Sequence, residues 1–343
     1  MIKKKVFLLA PPHMNIYSDI EAELKIQGYE VDCMVLNNPA QDPFFNPNGS
    51  SNKNIKKCDI ENFLKQLEVF WDDVYNKGGL RKSYDYLFVI NGTTIHPKLF
   101  SYLRATNPYI KCLAFLYDSV SLYGFDRNFE YYDEVFSFNR KDAADYNLKF
   151  LPIYWKPVQE KEEIDCYAFG MGVYSKARYD IYRLVQDICK KNKLPYFIKL
   201  YIPEQKNIFL FIVKSIAKML IGSRNRLSYK EYSLDMVTHQ SMQPEKFRQY
   251  IANSKVVIDT SNPHQDGLTP RFMWALGEGK KIVTNNIHVK EYPFYNPKQF
   301  FIVGCDDISQ LESFMLYQYK PSDSYIEMVK QWRIDKWLET LLG

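Results

Sequence analysis

Two short β-branched runs with one helix between them constrain the fold of this chain most strongly. Residues 256–258 and 281–284 have the composition of buried strands in a parallel sheet. Between them, Thr269 is a good helix N-cap, Pro270 suits the first helical position, and Gly277 stands near the helix end. This stretch therefore predicts a strand, a loop, one short helix and a second strand, which is the repeating pattern of an α/β domain.

The loop before this helix has the features of an anion site. A helix N-terminus offers free backbone amides, Gly267 allows a ligand to approach the backbone closely, and Arg271 stands in the first turn. Together these features suit a diphosphate. An ordinary α/β connection with a solvated arginine has the same order of elements, so the pattern by itself leaves both interpretations open.

Residues 267–286, GLTPRFMWALGEGKKIVTNN, resemble the donor-binding segment of GT-B fold glycosyltransferases, particularly the CgeB-like group and the capsule and lipopolysaccharide biosynthesis enzymes. In the wider retaining GT-B group, this segment carries two acidic residues eight positions apart, one near the donor sugar and one on the ribose hydroxyls. Asp266 stands at the first position and Trp274 at the second. An indole cannot accept hydrogen bonds from a ribose diol. The donor and nucleotide contacts that the resemblance implies are Gln265, Asp266, Gly267, Leu268, Thr269 and Arg271.

Length and composition favour two globular domains. The 343 residues are 46% hydrophobic and carry a formal net charge of +5, which indicates neither nucleic-acid binding nor a strongly basic surface. The six cysteines lack CxxC or Cys/His spacing, so we expect reduced packing residues in a cytoplasmic protein and no metal site. The apolar run after the first lysines is too short for a signal peptide, and no segment reaches the roughly 18 apolar residues of a membrane span.

Residues 1–156 predict an N-terminal Rossmann-like domain on the acceptor side. A strand over 5–10, a helix over 17–27 and a strand over 29–36 form its first βαβ unit. Further helices are predicted at 60–75, 97–105 and 141–147, and further strands at 84–90, 111–117, 135–139 and 150–155. Open α/β sheets bind ligands in the loops at the carboxyl ends of their strands.

Three such loops carry candidate residues. His13 follows the first strand, where it could contact an acceptor or a departing phosphate, or be polar surface. Asn91 and Gly92 follow the third strand and are predicted on the acceptor side. Asp118 follows the fourth strand, where a carboxylate can act as a general base or hold an acceptor hydroxyl, and where an ordinary turn or helix cap also uses aspartate.

Residues 165–320 predict a C-terminal nucleotide-sugar-binding Rossmann-like domain after the polar linker 156–163. The predicted strand 165–170 ends at Gly170. Gly172 follows this strand, and a helix is predicted over 179–192. In GT-B enzymes the first loop of this domain is glycine-rich and often carries a basic residue for the donor diphosphate, and Arg178 matches that residue; a surface salt bridge is the alternative. The absence of a clean GxGxxG after the strand argues against a nicotinamide site.

Two later segments carry further predictions. Residues 206–226 form an apolar run interrupted by Lys214 and Lys218, which suits either a helix in the headgroup region of an anionic membrane or a core helix with one wet edge. Residues 321–343 predict one final helix, which the GT-B resemblance implies crosses back to the first domain.

The resemblance implies two Rossmann-like domains facing each other across a cleft. It implies transfer of a sugar from a nucleotide-sugar donor to an acceptor hydroxyl of a glycan or lipid-linked glycan, in surface polysaccharide or lipopolysaccharide synthesis, without a metal or other cofactor. The implied location is cytoplasmic, with peripheral membrane contact through 206–226. Polyol-phosphate transfer on the same frame and non-catalytic nucleotide or sugar binding are the alternatives.

Overall fold

The computed structural model describes residues 3–12, 16–36, 43, 54–80, 82–92, 94–120, 124–160, 162–204, 235–261 and 266–343. The chain divides into two compact units. The first contains Met1–Trp155, Pro263–Leu268 and Gln331–Gly343, and the second contains Lys156–Asn262 and Thr269–Lys330. The strands of the described residues form one six-stranded parallel sheet in each unit.

The strands, numbered along the chain, are β1 Lys5–Ala10, β2 Glu30–Val35, β3 Tyr86–Ile90, β4 Lys111–Leu116, β5 Glu134–Ser137, β6 Lys149–Phe150, β7 Ala168–Val173, β8 Tyr196–Tyr201, β9 Val237–Thr238, β10 Val256–Asp259, β11 Lys281–Thr284 and β12 Phe300–Ile302. The α-helices are α1 Ile16–Ile26, α2 Lys57–Asn76, α3 Pro97–Thr106, α4 Arg140–Asp145, α5 Lys176–Lys191, α6 Pro244–Asn253, α7 Pro270–Gly277, α8 Leu311–Leu316, α9 Asp323–Lys330 and α10 Ile334–Leu342.

The first sheet has the order β2-β1-β3-β4-β5-β6. Its central strands are continuous apolar runs, because a parallel sheet is covered by helices on both faces. Helix α2 buries Phe63, Leu67 and Trp71, which are spaced four residues apart and therefore lie on one face. The predicted α/β class with parallel sheets is confirmed for this unit.

The last helix of the chain, α10, packs in the first unit. Trp337 is fully buried, its ring centroid lies 4.8 Å from that of Phe115, and its Nε1 donates to the carbonyl of Pro152 at 3.0 Å. The prediction of one helix over 321–343 is wrong, because α9 and α10 are separate helices with residues 331–333 between them.

The break between these helices has a visible cause. Trp155 forms a parallel bridge with Arg333, in which Trp155 N–H donates to the Trp332 carbonyl at 3.0 Å and Ile334 N–H donates to the Trp155 carbonyl at 2.9 Å. This pairing requires extended backbone before α10. Of the predicted strand 150–155, only Phe150 lies in a strand, as the last residue of β6, and Trp155 pairs with Arg333 instead.

The second sheet has the order β12-β11-β10-β7-β8-β9. Strand β10 lies between β7 and β11, and helix α7 connects β10 to β11 as predicted. Two predicted boundaries are wrong: β7 extends to Val173 rather than ending at residue 170, and α5 begins at Lys176 rather than at residue 179. Arg178 therefore stands in the first turn of α5.

Candidate functional site

Arg178 ties together the carboxyl ends of two neighbouring strands in the second unit. Helix α5 begins after Ser175, whose hydroxyl accepts a hydrogen bond from Arg178 N–H. From this first turn the guanidinium donates through Nε to Thr260 Oγ1 at 2.6 Å, through Nη2 to the Thr260 carbonyl at 3.2 Å, and through Nη1 to the carbonyl of Val173. Burial is the largest influence on the pKa of Arg178 and lowers it. Among the described residues, three of its five N–H groups are used in these bonds, which leaves two for an acceptor outside them.

Arg271 reaches the same region from the first turn of α7. Its Nη1 donates to the Ile258 carbonyl and to the Tyr182 hydroxyl, both at 3.1 Å. Its guanidinium carbon lies 5.6 Å from the centroid of the Phe247 ring. The Nε atom is buried and has no hydrogen-bond partner among the described residues. Arg271 is therefore a largely buried cation and not the solvated arginine of the alternative interpretation.

A buried carboxylate carries the negative charge near these arginines. Asp259, the last residue of β10, is 1% exposed, and its Oδ1 accepts a hydrogen bond from Thr269 Oγ1 at 2.6 Å and lies 3.9 Å from Arg271 Nη1. Burial raises the pKa of Asp259, while the charges of Arg271 and Arg178 and the Thr269 hydrogen bond act against that rise. The two guanidinium charges are thus opposed by one carboxylate, and this group of three residues, the arginine cluster, carries a net positive charge when Asp259 is ionised.

The glycines of the GxG pattern lie inside β7 and provide space for this cluster. A Cβ at Gly172 would lie 3.1 Å from Nη1 and 3.3 Å from Cζ of Arg178. A Cβ at Gly170 would lie 2.9 Å from Ile258 Cδ1 and 3.2 Å from a ring carbon of Tyr182. The expectation that Gly172 lies in a loop after the strand is wrong. Both glycines are required in the strand because helix α5 side chains cross it.

Sequence reasoning missed several residues that build this region. Asn285, just after β11, accepts a hydrogen bond from Ser261 N–H at 2.9 Å and donates to the Ser261 carbonyl at 3.3 Å, so it fixes the chain where it leaves β10. Asp259 and Thr260 were missed as well. A polar run directly after a buried apolar strand is the signal that could have found them, since such positions form ligand-facing loops in α/β sheets.

The residues before α7 are held by packing and capping. Thr269 Oγ1 accepts the N–H of Phe272, and Pro270 has no N–H, so the first turn of α7 offers fewer free amides than predicted. Gly267 and Leu268 are buried, and a Cβ at Gly267 would lie 2.5 Å from the ring of Phe138, in the first unit to which Gly267 belongs. The position therefore requires glycine for this packing. Gln265 lies outside the described residues, and nothing in the structure tests the contacts predicted for Asp266 and Leu268.

Trp274 lies in the core of the second unit. It is 4% exposed, its ring lies 6.2 Å from that of Phe247, and the guanidinium carbon of Arg248 lies 5.1 Å from its centroid. Its Nε1 is buried with no partner among the described residues. Trp274 thus fills space at the position where the wider retaining group carries an acid.

The predicted acceptor-side residues of the first unit lie together. Asn91, with a positive φ of 64°, donates through Nδ2 to Asp118 Oδ2 at 2.8 Å and accepts Tyr117 N–H at 2.7 Å. The following Gly92 has a φ of 80°. Asn91 therefore joins the carboxyl ends of β3 and β4 and orients the half-buried carboxylate of Asp118. His13 lies outside the described residues.

A cavity of about 280 Å³ lies in the second unit beside β7, β8 and β9 and the start of α6. Its apolar lining comes from Met171, Phe197 and Met242, and the other lining side chains are polar or charged. It is lined by Met171, Phe197, Thr238, Gln240, Ser241, Met242, Gln243 and Lys246. Side chains alternate along a strand, so Met171 faces the sheet side opposite to the one that Gly172 and Arg178 share.

The side chains and helices of the described residues bear on metals and membranes. No group of three or more His, Cys, Asp or Glu side chains in this part of the chain is arranged to hold a metal ion. None of the helices found there is long and apolar enough to cross a membrane. The segment 206–226 lies outside the described residues, so its membrane contact stays a prediction.

Comparisons of the sequence with protein-family models and with curated proteins give no match. Solved structures do match. AviGT4, a glycosyltransferase involved in avilamycin A biosynthesis, has a TM-score of 0.54 at 13% identity, over 99% of this chain and 96% of that chain. The glycosyltransferase from Rickettsia africae ESF-5 has a TM-score of 0.51 at 11% identity, over 100% and 97%.

The α,α-trehalose 6-phosphate synthase from Burkholderia multivorans matches with a TM-score of 0.53 at 10% identity, over 100% of this chain and 98% of that chain. At such identities a structural likeness establishes the fold alone. The two parallel sheets and the full-length coverage agree with it. The chain therefore has the two-domain α/β fold of the GT-B glycosyltransferases, as its sequence predicts.

Proposed function

We propose that the protein is a glycosyltransferase that transfers a sugar from a nucleotide-sugar donor to an acceptor hydroxyl. The observation that carries this proposal is the arginine cluster. Two guanidiniums, from the first turns of α5 and α7, lie at the carboxyl ends of β7 and β10, and the charges of both act on one buried carboxylate, Asp259. Ligands of open α/β sheets bind at this edge, and guanidinium binds phosphate oxygens in pairs.

The cluster suits the chemistry of the leaving group. When the bond between the sugar and the donor diphosphate breaks, negative charge develops on the departing phosphate oxygen. Fixed cations in a partly desolvated site stabilise such charge more than water does. Arg178 and Arg271 would supply this stabilisation in the place where other transferases use a bound metal ion.

The cavity beside Lys246 suits the nucleoside part of the donor. A planar base favours an apolar floor with a few polar groups at its edge, which Met171, Phe197 and the side chains of Gln240 and Gln243 provide. The cavity and the arginine cluster both involve the carboxyl half of β7. Because Met171 and Arg178 lie on opposite faces of the sheet, a nucleoside in the cavity and a diphosphate at Arg178 would belong to one ligand only if that ligand crosses the carboxyl edge of β7.

Asp118 is the proposed acceptor-side residue. Its carboxylate is held by Asn91 Nδ2 at 2.8 Å, so its orientation is fixed before a substrate binds. In a reaction that inverts the sugar configuration, Asp118 would take the proton of the acceptor hydroxyl. In a retaining reaction it would position that hydroxyl. His13 stays a further candidate of the same unit.

The acceptor class rests on the sequence resemblance. The resemblance around 267–286 favours a glycan or lipid-linked glycan of surface polysaccharide or lipopolysaccharide synthesis, and the basic residues within 206–226 favour contact with an anionic membrane. The neighbours described above include a glycosyltransferase involved in avilamycin A biosynthesis and an α,α-trehalose 6-phosphate synthase, so the fold itself does not select the acceptor.

A non-catalytic nucleotide- or sugar-binding protein is the second candidate. The buried Trp274 favours it, because an indole at this position cannot hold a ribose diol. A binder would keep the arginine cluster and lose nothing when Asp118 is replaced. The two candidates therefore differ in turnover and agree in ligand affinity.

Turnover separates these candidates. A thermal-shift screen of nucleotide-sugars first identifies the donor, since a ligand at about 100 times its Kd adds roughly 2.7 kcal/mol of stability. The release of nucleoside diphosphate is then measured with membrane extract as the acceptor source, in the unmodified protein and in Asp118→Asn. A transferase shows acceptor-dependent release that falls in Asp118→Asn while donor affinity stays the same. Stabilisation by a nucleotide-sugar without any release supports the binder instead.

A further inference from the structure

The arginine cluster contains a buried carboxylate, Asp259. This carboxylate has no role in the proposed binding of a diphosphate by the two arginines. Its two oxygens differ. Oδ1 accepts the Thr269 hydroxyl at 2.6 Å, whereas Oδ2 is buried and has no hydrogen-bond partner among the described residues. Arg271 Nη1 lies 3.9 Å from Oδ1, beyond hydrogen-bond distance, and Arg271 Nε is also buried without a partner there. The ion pair inside this site is therefore incomplete.

Among the described residues, the charged groups that act on this carboxylate lie on two helices. Arg178 lies on α5 and Arg271 on α7, and the Tyr182 hydroxyl accepts a hydrogen bond from Arg271 Nη1. Strand β11 places the uncharged Thr284 next to Asp259 in the sheet. The cluster thus has a net charge of +1 with Asp259 ionised and +2 with Asp259 protonated.

An arriving diphosphate changes the electrostatics of Asp259 in one direction. Its negative charge repels the carboxylate, and its oxygens compete for the same guanidiniums that now neutralise Asp259. Burial already raises the pKa of this side chain. Both effects of the ligand favour the protonated form of Asp259. Oδ2 can take up the proton because it accepts no hydrogen bond from the described residues.

We propose that binding of a diphosphate at Arg178 and Arg271 is coupled to the uptake of one proton by Asp259. The proton comes from solvent and is held on Oδ2, and no covalent bond of the ligand breaks. The uptake deepens the proposed function, on which it rests, because it makes the donor site bind more tightly as pH falls. It also predicts proton release when the leaving diphosphate departs.

Calorimetric titration with inorganic pyrophosphate tests this coupling between about pH 6 and about pH 8 in the unmodified protein and in Asp259→Asn. One coupled proton weakens binding by up to about tenfold per pH unit. Pyrophosphate titrates in this range too, but its own contribution is the same for both proteins. We expect the unmodified protein to lose affinity with rising pH more steeply than Asp259→Asn, which mimics the protonated state and binds at least as tightly. Equal pH dependence in the two proteins overturns the proposal.

Sulfate provides a measurement that does not depend on the variant, because it carries no titrating proton near neutrality. Its affinity for the unmodified protein should fall as pH rises, and a pH-independent affinity contradicts the coupling. The failure of the proposed function gives a different result. If neither anion binds, or if Arg178→Ala binds both as well as the unmodified protein does, the phosphate site itself is wrong and the coupling falls with it.

Discussion

At the scale of single residues, the arginine cluster shows why the two guanidiniums differ as targets for mutation. Among the described residues, the Arg178 guanidinium bonds to Thr260 and Val173, at the ends of two strands. Arg271 is the nearer cation of the fully buried Asp259. Removing one partner of a buried ion pair typically destabilises a protein by about 3 to 5 kcal/mol. Arg271→Ala should therefore lower the melting temperature, whereas Arg178→Ala should mainly affect ligand binding.

Gly267 allows a residue-scale prediction that concerns packing alone. In Gly267→Ala the new Cβ would lie 2.5 Å from two ring carbons of Phe138. Overpacking of this kind typically destabilises by about 1 to 3 kcal/mol. We expect a cost of this size by chemical denaturation, and a smaller cost when the same change is made in Phe138→Leu, which removes the ring.

The double-mutant cycle decides between packing and ligand contact as the reason for this glycine. If the costs of the two changes are coupled, packing against Phe138 is the reason that position 267 requires glycine. Additive costs, together with a loss of diphosphate affinity in Gly267→Ala, would instead support the original sequence interpretation of close approach by a ligand.

At the scale of elements, we expect substitutions at the two glycines of β7 to have different effects, one on ligand binding and the other on stability. Gly172 faces Arg178, and Gly170 faces Ile258 and Tyr182. Gly172→Ala should displace the guanidinium and weaken pyrophosphate binding while leaving stability nearly unchanged. Gly170→Ala should destabilise the core of the second unit, because two packed side chains meet the new methyl group. Calorimetry and melting temperatures of the two variants test this, and equal losses of affinity at equal stability would show that the strand acts as a whole.

Lys281 at the start of β11 gives a pH-dependent prediction. Its Nζ donates to the carbonyls of Phe314, Met315 and Tyr317 at the end of α8, and burial lowers its pKa from 10.5 to about 8. The native state therefore gives up this proton at a lower pH than the unfolded chain does. Between those two values the unfolded state binds more protons, so stability contributed by this site rises with pH.

The matched variant is Lys281→Met, which keeps the length of the side chain and removes the titrating group. Chemical denaturation at about pH 7 and about pH 9.5 should show the unmodified protein gaining free energy of unfolding relative to the variant as pH rises. A difference between the two proteins that is constant over this range would mean that the three carbonyls keep Lys281 charged throughout.

The sequence predicted some elements well and missed others for a physical reason. Around α7, the cap at Thr269 and the two β-branched runs are local signals, and the observed elements follow them. The split between α9 and α10 and the shortened β6 both depend on the bridge between Trp155 and Arg333, which joins residues far apart in sequence. Local periodicity carries no information about such pairing.

At the scale of the whole molecule, the fold was predictable and the site only in part. The resemblance around 267–286 led to the two-domain α/β fold that the structures confirm. The sequence also selected Arg178, Arg271, Asn91 and Asp118, and the structure brings the two members of each pair to the carboxyl edge of one sheet. Asp259 was missed because its importance comes from burial between side chains of two helices, which local pattern does not reveal.

The central claim is that the arginine cluster binds the diphosphate of the donor, and calorimetric titration of nucleoside diphosphates tests it most directly. Arg183→Ala is the matched control, since Arg183 is exposed on the same helix and pairs with Asp187 at 3.1 Å. Arg178→Ala should weaken binding by roughly 10- to 150-fold, from the 1.5 to 3 kcal/mol typical of charge-assisted bonds. Arg183→Ala should bind nucleoside diphosphates as tightly as the unmodified protein does. The affinity of Arg178→Ala for nucleosides without phosphate should also stay unchanged. Unaltered diphosphate affinity in folded Arg178→Ala would contradict the claim.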